Sequence, residues 1–413
     1  MQRSASSPKY FFREPLYVTG EIDFKNPNRD EWRYKEPGFS EMSKLVKSVA
    51  DPTTSPPRMN LGDIIGNKEV EKIQKAGRIV FHSVGDTGAK FTKPGLEAEA
   101  TVTDKMAEDF NESNPANIPS FLFHLGDVVY NFGEDEYYYD QFYEPFRNYQ
   151  ARIFAIPGNH DGITYVKDPS KSLQAFRKHF CDNEPHHALE AGGLTRTTMT
   201  QPGVYFTLKA PFVTIIGLYN NVLEDPGVIS SEDGKYPNLD DKQKDFLESE
   251  LRSLHDECYS GAVILAVHHP PYTSGVIHVG SSGMLKDIED AISNAKGFAP
   301  HAVLSGHAHN YQRYTRVMDQ KQIPFIVAGS GGHNALPIRT IGSNTIIRTP
   351  ITVGDVSFRR YFADYGYLRI VVTEELLSIE FHDVSSGLDS KSPADISTVV
   401  LKTRILTTNR PEL

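Results

Sequence analysis

Cysteine is nearly absent from this chain: Cys181 and Cys258 are the only two in 413 residues. That excludes a disulfide framework, and a thiolate zinc cluster needs more thiols than exist here. Long apolar runs are missing as well. The longest strings, such as AVILAV at 262–267, are strand-sized and fall short of the roughly 18–20 apolar residues of a membrane helix. Near the N-terminus the cluster Tyr10–Phe12 is broken by Arg13, Glu14 and Pro15. The uninterrupted stretch of roughly 7–15 apolar residues that a secretory leader needs is not visible. The expectation is a cytoplasmic protein with no membrane partner. Basic excess is lacking too: 43 Lys and Arg stand against 53 Asp and Glu, a net charge of −10. This balance argues against nucleic-acid or anionic-membrane binding. By the same count an anionic substrate is disfavoured.

What remains, 39% hydrophobic and 23% charged, is the composition of an ordinary globular protein. Residues 1–77 are rich in proline, charge and aromatics without a sustained period. Positions 64–76 read as a short helix. Tyr10, Phe11, Phe12, Tyr17 and Trp32 either drape over the main domain or belong to a partly disordered extension. From residue 78 the pattern changes. Short β-branched or aromatic strings recur: RIVFHSV (78–84), FLFHL (121–125), RIFAI (from 152), AVILAV, AVLS (302–305) and FIVAG (325–329). Unbroken strings of this length suit strands buried on both faces. Helical segments lie between them. In 239–254, Phe246, Leu247, Leu251 and Leu254 share a face, and Asp240 or Asp241 can cap it. Alternation of strands and helices predicts layered α/β architecture. Stretches 203–221 and 365–384 alternate as hairpins, so the sheet is mixed.

Five of the apolar strings end in polar motifs. They are Gly85-Asp86-Thr87-Gly88, Gly126-Asp127-Val128-Val129-Tyr130, Gly158-Asn159-His160-Asp161, His268-His269-Pro270 and Gly306-His307-Ala308-His309. Intervals of 41 residues from Asp86 to Asp127, 32 to Asn159 and 39 from His268 to His307 each leave room for a strand–helix crossover. Glycine before the polar residue in four motifs lets the backbone turn. Each motif alone is an ordinary turn. Together they bring carboxylate, amide, imidazole and phenol donors to strand ends, where α/β folds place their sites.

The order D…GD…GNH…H…GHxH resembles the calcineurin-like metallophosphoesterases. The variant is more specific, since Asp86 is followed by Gly88 where many members have histidine, and Tyr130 stands three residues after Asp127. GDxG with GDxxY resembles the purple acid phosphatase branch, over roughly residues 78–385. Departures are Leu265 for valine in V-x-x-H, and Asn310-Tyr311-Gln312-Arg313 after the last motif, which resembles bacterial members. The resemblance implies a four-layer αββα sandwich of two mixed β-sheets flanked by helices. It implies an N-terminal extension at 1–77 that is not a complete β-sandwich, a catalytic domain at 78–385 and a C-terminal tail at 386–413.

It also implies two metal ions. Asp86, Asp127, Tyr130 and His309 would hold Fe(III), because a phenolate is a hard anionic donor. Asp127, Asn159, His268 and His307 would hold Zn, Mn or Fe(II), with Asp127 bridging. His268 fits the position before x-Pro, with His269 beside it. The ligands carry −3 when Tyr130 is ionised, against about +5 from the ions, so the pocket is net positive. The implied activity is hydrolysis of small phosphate esters, monoesters first, by a metal-bound hydroxide attacking phosphorus. Asp127 and His160 are the catalytic candidates, with His160 protonating the leaving group or binding a phosphate oxygen. His269 and His333 are further substrate-binding candidates. Asp161 orients an imidazole or caps its turn. The remaining histidines, His278 among them, show no ligand spacing and read as structural. The alternatives are a phosphodiesterase on the same centre and a non-catalytic metal-binding scaffold.

Overall fold

A computed structural model describes residues 49–407 other than 90–92, 131–132, 163–171, 224–225, 276–277, 339, 342–344, 347–348 and 385–391. The N-terminal aromatics discussed above lie outside the described residues. The apolar strings become strands, and the strands sort into two sheets, numbered here in chain order. The larger has nine strands in the order β1 (Arg58–Asn60), β5 (Phe206–Ala210), β6 (Val213–Gly217), β7 (Ala262–Ala266), β8 (Ala302–Ser305), β10 (Lys321–Ala328), β9 (Tyr311–Met318), β14 (Val356–Phe362), β13 (Ile351–Val353). The smaller has seven: β18 (Ile405–Thr407), β17 (Asp395–Val400), β16 (Leu376–Asp383), β15 (Gly366–Thr373), β2 (Arg78–Val84), β3 (Phe121–His124), β4 (Arg152–Ala155). β11 (Thr340–Ile341) and β12 (Thr345–Ile346) form a separate ladder. Segments outside 78–385 take part in both sheets, through β1 at one end of the chain and β17 and β18 at the other.

The sheets are mixed, as the two alternating stretches require. β5–β6 and β15–β16 are antiparallel hairpins. β2–β3–β4 run parallel, as do β6–β7–β8 and β10 beside β8. The period of two in a strand decides what each face meets. On β5, Phe206 turns inward, its ring 6.0 Å from Phe123 of β3 in the other sheet. The next residue, Thr207, turns outward and donates to Glu250 on the helix Lys242–Asp256. Tyr311 of β9 in the larger sheet stacks on Phe381 of β16 in the smaller at 4.1 Å, across the inner faces. The cross-strand row His82, Arg369 and Glu380 faces the other way, where Asp109 accepts from His82 after the helix Lys93–Glu108. One hydrophobic core runs between the two sheets.

Two local expectations change. The helix predicted from 239 starts at Lys242, and Asp241 does not cap it. Its carboxylate accepts from Ser231 N–H instead, while Asp240 takes the Lys242 N–H at 3.3 Å. The aromatic residues Tyr137–Tyr139 with Phe142, Tyr143 and Phe146, whose spacing predicts a helix face packed on the sheet, lie instead on a 3-10 turn, Asp135–Tyr137, a π turn, Tyr139–Tyr143, and the residues after it. Phe142, Tyr143 and Phe146 still enter the core, because burial of their rings and not the hydrogen-bond register is what the apolar contacts demand.

Candidate metal centre

Parallel strands end side by side, so the polar motifs that follow them share one edge of the molecule. Asp86, Asp127 and Asn159 follow β2, β3 and β4 of the smaller sheet; His268 and His307 follow β7 and β8 of the larger. The loops are stitched across the gap. Asp86 N–H donates to the Gly126 carbonyl (2.9 Å), and Gly306 N–H to the His268 carbonyl (2.9 Å). His307 N–H donates to Asp86 Oδ2 at 2.8 Å, which ties the two sheets together at the site.

The turns are strained where the chemistry is. Asp86, Asp127, His307 and His309 have φ of 58°, 55°, 68° and 48°. Left-handed backbone costs a non-glycine residue roughly 1–2 kcal/mol, and such strain collects at functional sites. The glycines in front were expected to make the turns. Gly126 does, with φ 97°. Gly158 serves by having no side chain, since a Cβ there would lie 2.1 Å from Asp127 Oδ1.

Two sets of donors result. Tyr130 OH donates to Asp86 Oδ1 (3.1 Å) and lies 3.2 Å from His309 Nε2, which is 3.4 Å from Asp86 Oδ1. Asn159 Oδ1 lies 2.9 Å from His307 Nδ1 and 3.2 Å from His268 Nε2, which is 3.3 Å from Asp127 Oδ2. Asp127 belongs to both carboxylate–imidazole groups, Asp86–Asp127–His309 and Asp127–His268–His307. All seven donors sequence reasoning named are thereby within one buried cluster.

A family model for calcineurin-like phosphoesterases matches residues 80–311, more than half of the chain and all of the motifs. The chain belongs to the calcineurin-like phosphoesterases. That family takes its name from phosphoester chemistry. Among curated proteins, none matches the sequence significantly. Among solved structures it is similar to a purple acid phosphatase, PPD1, from yellow lupin (Lupinus luteus) seeds: 16% identity, TM-score 0.53, covering 78% of this chain and 54% of that one. The chain thus spans about half the length of the lupin protein. It is also similar to GAP50 of Plasmodium, described as the anchor in the inner membrane complex: 14% identity, TM-score 0.51, covering 78% of this chain and 89% of that one. At these identities the likeness is one of fold. Among the described residues no helix is long and apolar enough to cross a membrane.

The donors of the phosphoesterase fit metal ions. Around one ion, donors at about 2.1 Å and right angles stand about 3 Å apart, close to the separations in both sets. Hydrogen bonding gives an independent test. His268 Nδ1 donates to the Leu125 carbonyl at 2.7 Å, so Nε2 of the neutral ring keeps a lone pair. That lone pair meets the oxygens of Asn159 and Asp127. Three acceptors converge on a spot that a metal ion, or a proton on Nε2, satisfies. A third group, Asp135, His179 and Glu190, already has its cation: Lys178 Nζ sits 2.5 Å from Asp135 and 2.7 Å from Glu190.

Without a metal, a proton substitutes. Burial opposes it, yet Asp127 and Asp86 raise His268 to about 9. Burial, with Asp127 adding to it, raises Asp86 to about 7. Burial and the same two carboxylates hold the Tyr130 phenol well above its usual range. Metal must therefore displace protons: from His268 below pH about 9 and from Asp86 below about 7. Apparent Zn²⁺ affinity is expected to rise as pH rises through that window. Calorimetry in two buffers of different ionisation enthalpy checks this; binding near neutral pH without proton release would contradict it.

The remaining candidates surround the cluster. His160 is half-buried, its N–H donating to Asp127 Oδ1 (2.8 Å) and its ring 4.2 Å from that of Tyr130. His333 stacks on the same Tyr130 ring, 3.5 Å between centroids, with Nδ1 donating to the Gly88 carbonyl (2.6 Å). His269 is fully buried; its Nε2 donates to the Val279 carbonyl (2.6 Å) and its ring stacks on His307 at 4.4 Å. The structure thus puts His269 behind a donor. Asp161 accepts from the N–H groups of Val128, Val129 and Gly158. It clamps two loops, and among the described residues it bonds no imidazole. His124, buried in β3, accepts from Gly126 N–H and bonds Thr87 through Nε2, joining the first two motifs.

His278 was missed. Its ring lies 4.2 Å from His307 and 5.2 Å from His309, and its Nε2 is buried with no hydrogen-bond partner among the described residues. Only a loop fold after Pro270 brings it there, and no spacing signals that.

Proposed function

We propose that the phosphoesterase hydrolyses small phosphate monoesters at a dinuclear centre. Asp86, Asp127, Tyr130 and His309 would hold Fe(III); Asp127, Asn159, His268 and His307 would hold Zn, Mn or Fe(II). The observation that carries this reading is the pair of donor sets sharing Asp127. When bound, the ions would polarise phosphoryl oxygens and activate a water. Little covalent work then falls to side chains; positioning and charge are their task.

His160 and His333 lie against the ring of Tyr130, and His278 lies against that of His307. A monoester dianion offers three non-bridging oxygens to N–H donors such as His160 and His278, whereas a diester offers two and needs room for a second alcohol. His160, half-buried and tied through its backbone to Asp127, is the group proposed to hold a proton for the leaving oxygen. His333 keeps the Tyr130 ring in place by stacking on it. Retention of all seven donors argues for catalysis over a bare scaffold.

The test is a matched panel on the metal-loaded protein, 4-nitrophenyl phosphate against bis(4-nitrophenyl) phosphate. A monoester preference in kcat/KM of about tenfold or more, 1.4 kcal/mol in the barrier, is expected. A diester preference would overturn the substrate assignment.

A further inference from the structure

The pairing that holds β7 ends one residue before the histidine pair. Leu218 N–H reaches the Ala266 carbonyl and Val267 N–H the Leu304 carbonyl, both at 3.0 Å. The next two N–H groups, on His268 and His269, are buried with no sheet neighbour to accept them. One side chain takes both. Asn220, fully buried three residues past the end of β6, accepts from His268 N–H and His269 N–H through Oδ1, each at 3.1 Å. Its Nδ2 donates back to the His269 carbonyl at 2.9 Å and lies 2.9 Å from Met284 Sδ. The clamp is itself held, because Asn220 C=O accepts from Val228 N–H at 2.7 Å. Residue 227 must be glycine for that loop to close over it: a Cβ there would meet Asn220 Nδ2 and His269 Cβ, each at 2.8 Å.

We infer that Asn220 is a positioning residue for the Asp127–Asn159–His268–His307 half of the centre; the inference rests on the two-ion reading above. It acts on two imidazoles through one peptide. His268 is aimed with Nδ1 on Leu125 and Nε2 toward Asn159 and Asp127. His269 is aimed so that its ring backs His307. An amide suits this place because it accepts twice and donates once. Alanine would leave two buried N–H groups unpaired, and the peptide would rotate to find partners. The other donor set hangs on Asp86, Tyr130 and His309, none of which Asn220 contacts. Residues that orient a metal ligand from behind commonly affect affinity 10–100-fold when lost.

The full chain is stripped with a chelator and titrated with Zn²⁺ alone, with bound zinc counted by elemental analysis. For wild type, two ions per chain are expected. For Asn220→Ala, one site is expected to weaken roughly 10–100-fold while the other keeps its affinity. Asn220→Asp keeps the double acceptor and loses the donor, so it should fall between. Asn220→Ala binding two ions with wild-type affinity would overturn the inference, and so would equal weakening of both sites. Should Asn220→Ala fail to fold, Asn220→Asp decides: one selectively weakened site supports the inference, and two unchanged sites overturn it. Wild type binding fewer than two ions even when Fe(III) is supplied beside Zn²⁺ would refute the two-ion reading itself, a separate outcome.

Discussion

Asp127→Asn is expected to lower kcat/KM by roughly 10³-fold or more with the fold intact. A carboxylate shared between two ions supports several kcal/mol of charge stabilisation, and each 1.36 kcal/mol is tenfold in rate. Asparagine is the right probe for three reasons. It tolerates the left-handed φ of 55° at this position better than other side chains. Its amide oxygen can still accept from His160 N–H, the 2.8 Å bond that Asp127 Oδ1 makes. Its volume matches, so Gly158, whose Cα lies against Asp127, is undisturbed. What vanishes is the negative charge. Burial works against that charge, yet His268 and His160 hold the carboxylate below the ordinary range. Its removal takes the nearest counter-charge from His268. Steady-state kinetics beside a circular-dichroism melt checks the result. Full activity in a folded Asp127→Asn protein would sink the shared-carboxylate mechanism.

Tyr130→Phe is expected to erase any visible absorption of the iron-loaded protein. The proposed band is charge transfer from a phenolate to Fe(III). In the metal-free protein the phenol is held neutral, by burial first and then by Asp127 and Asp86. Only a highly charged cation within bonding reach inverts that preference. Phenylalanine keeps the ring that stacks on His333 at 3.5 Å, so the packing survives. It loses only the oxygen that sits 3.1 Å from Asp86 and 3.2 Å from His309. Absorption spectra with elemental analysis of both proteins decide the matter. A colourless, active wild type without iron would defeat the ferric assignment and leave the rest of the donor scheme standing.

Much of the centre is legible in the chain because strand-end motifs are local. A glycine, a carboxylate and a preceding apolar string sit within a few residues, as at Leu125-Gly126-Asp127. Their types state a preference for metal before any fold is known. His278 and Asn220 carry no such mark. Asn220 does follow an apolar strand, Val213–Gly217, and that pattern could have drawn attention to it. Its task, however, is to satisfy two N–H groups 48 and 49 residues away, which no local pattern encodes. The acidic net charge misled in a related way. Counting charges along a chain ignores where they converge, and cations gathered by buried carboxylates reverse the local sign.

The sequence by itself determined the class of the strands, the donor types and the family, since these follow from side-chain chemistry and short-range periodicity. Only the tertiary structure decided that the donors split between two sheets, three motifs from β2–β4 and two from β7 and β8. It alone showed which of two adjacent histidines faces the cluster: His268 turns to Asp127, and His269 packs behind His307. The physical reason is the same throughout. Strand order, the left-handed turns at Asp86, Asp127, His307 and His309, and the clamps at Asp161 and Asn220 depend on hydrogen bonds between residues far apart in sequence. Those bonds exist only once the two sheets have met.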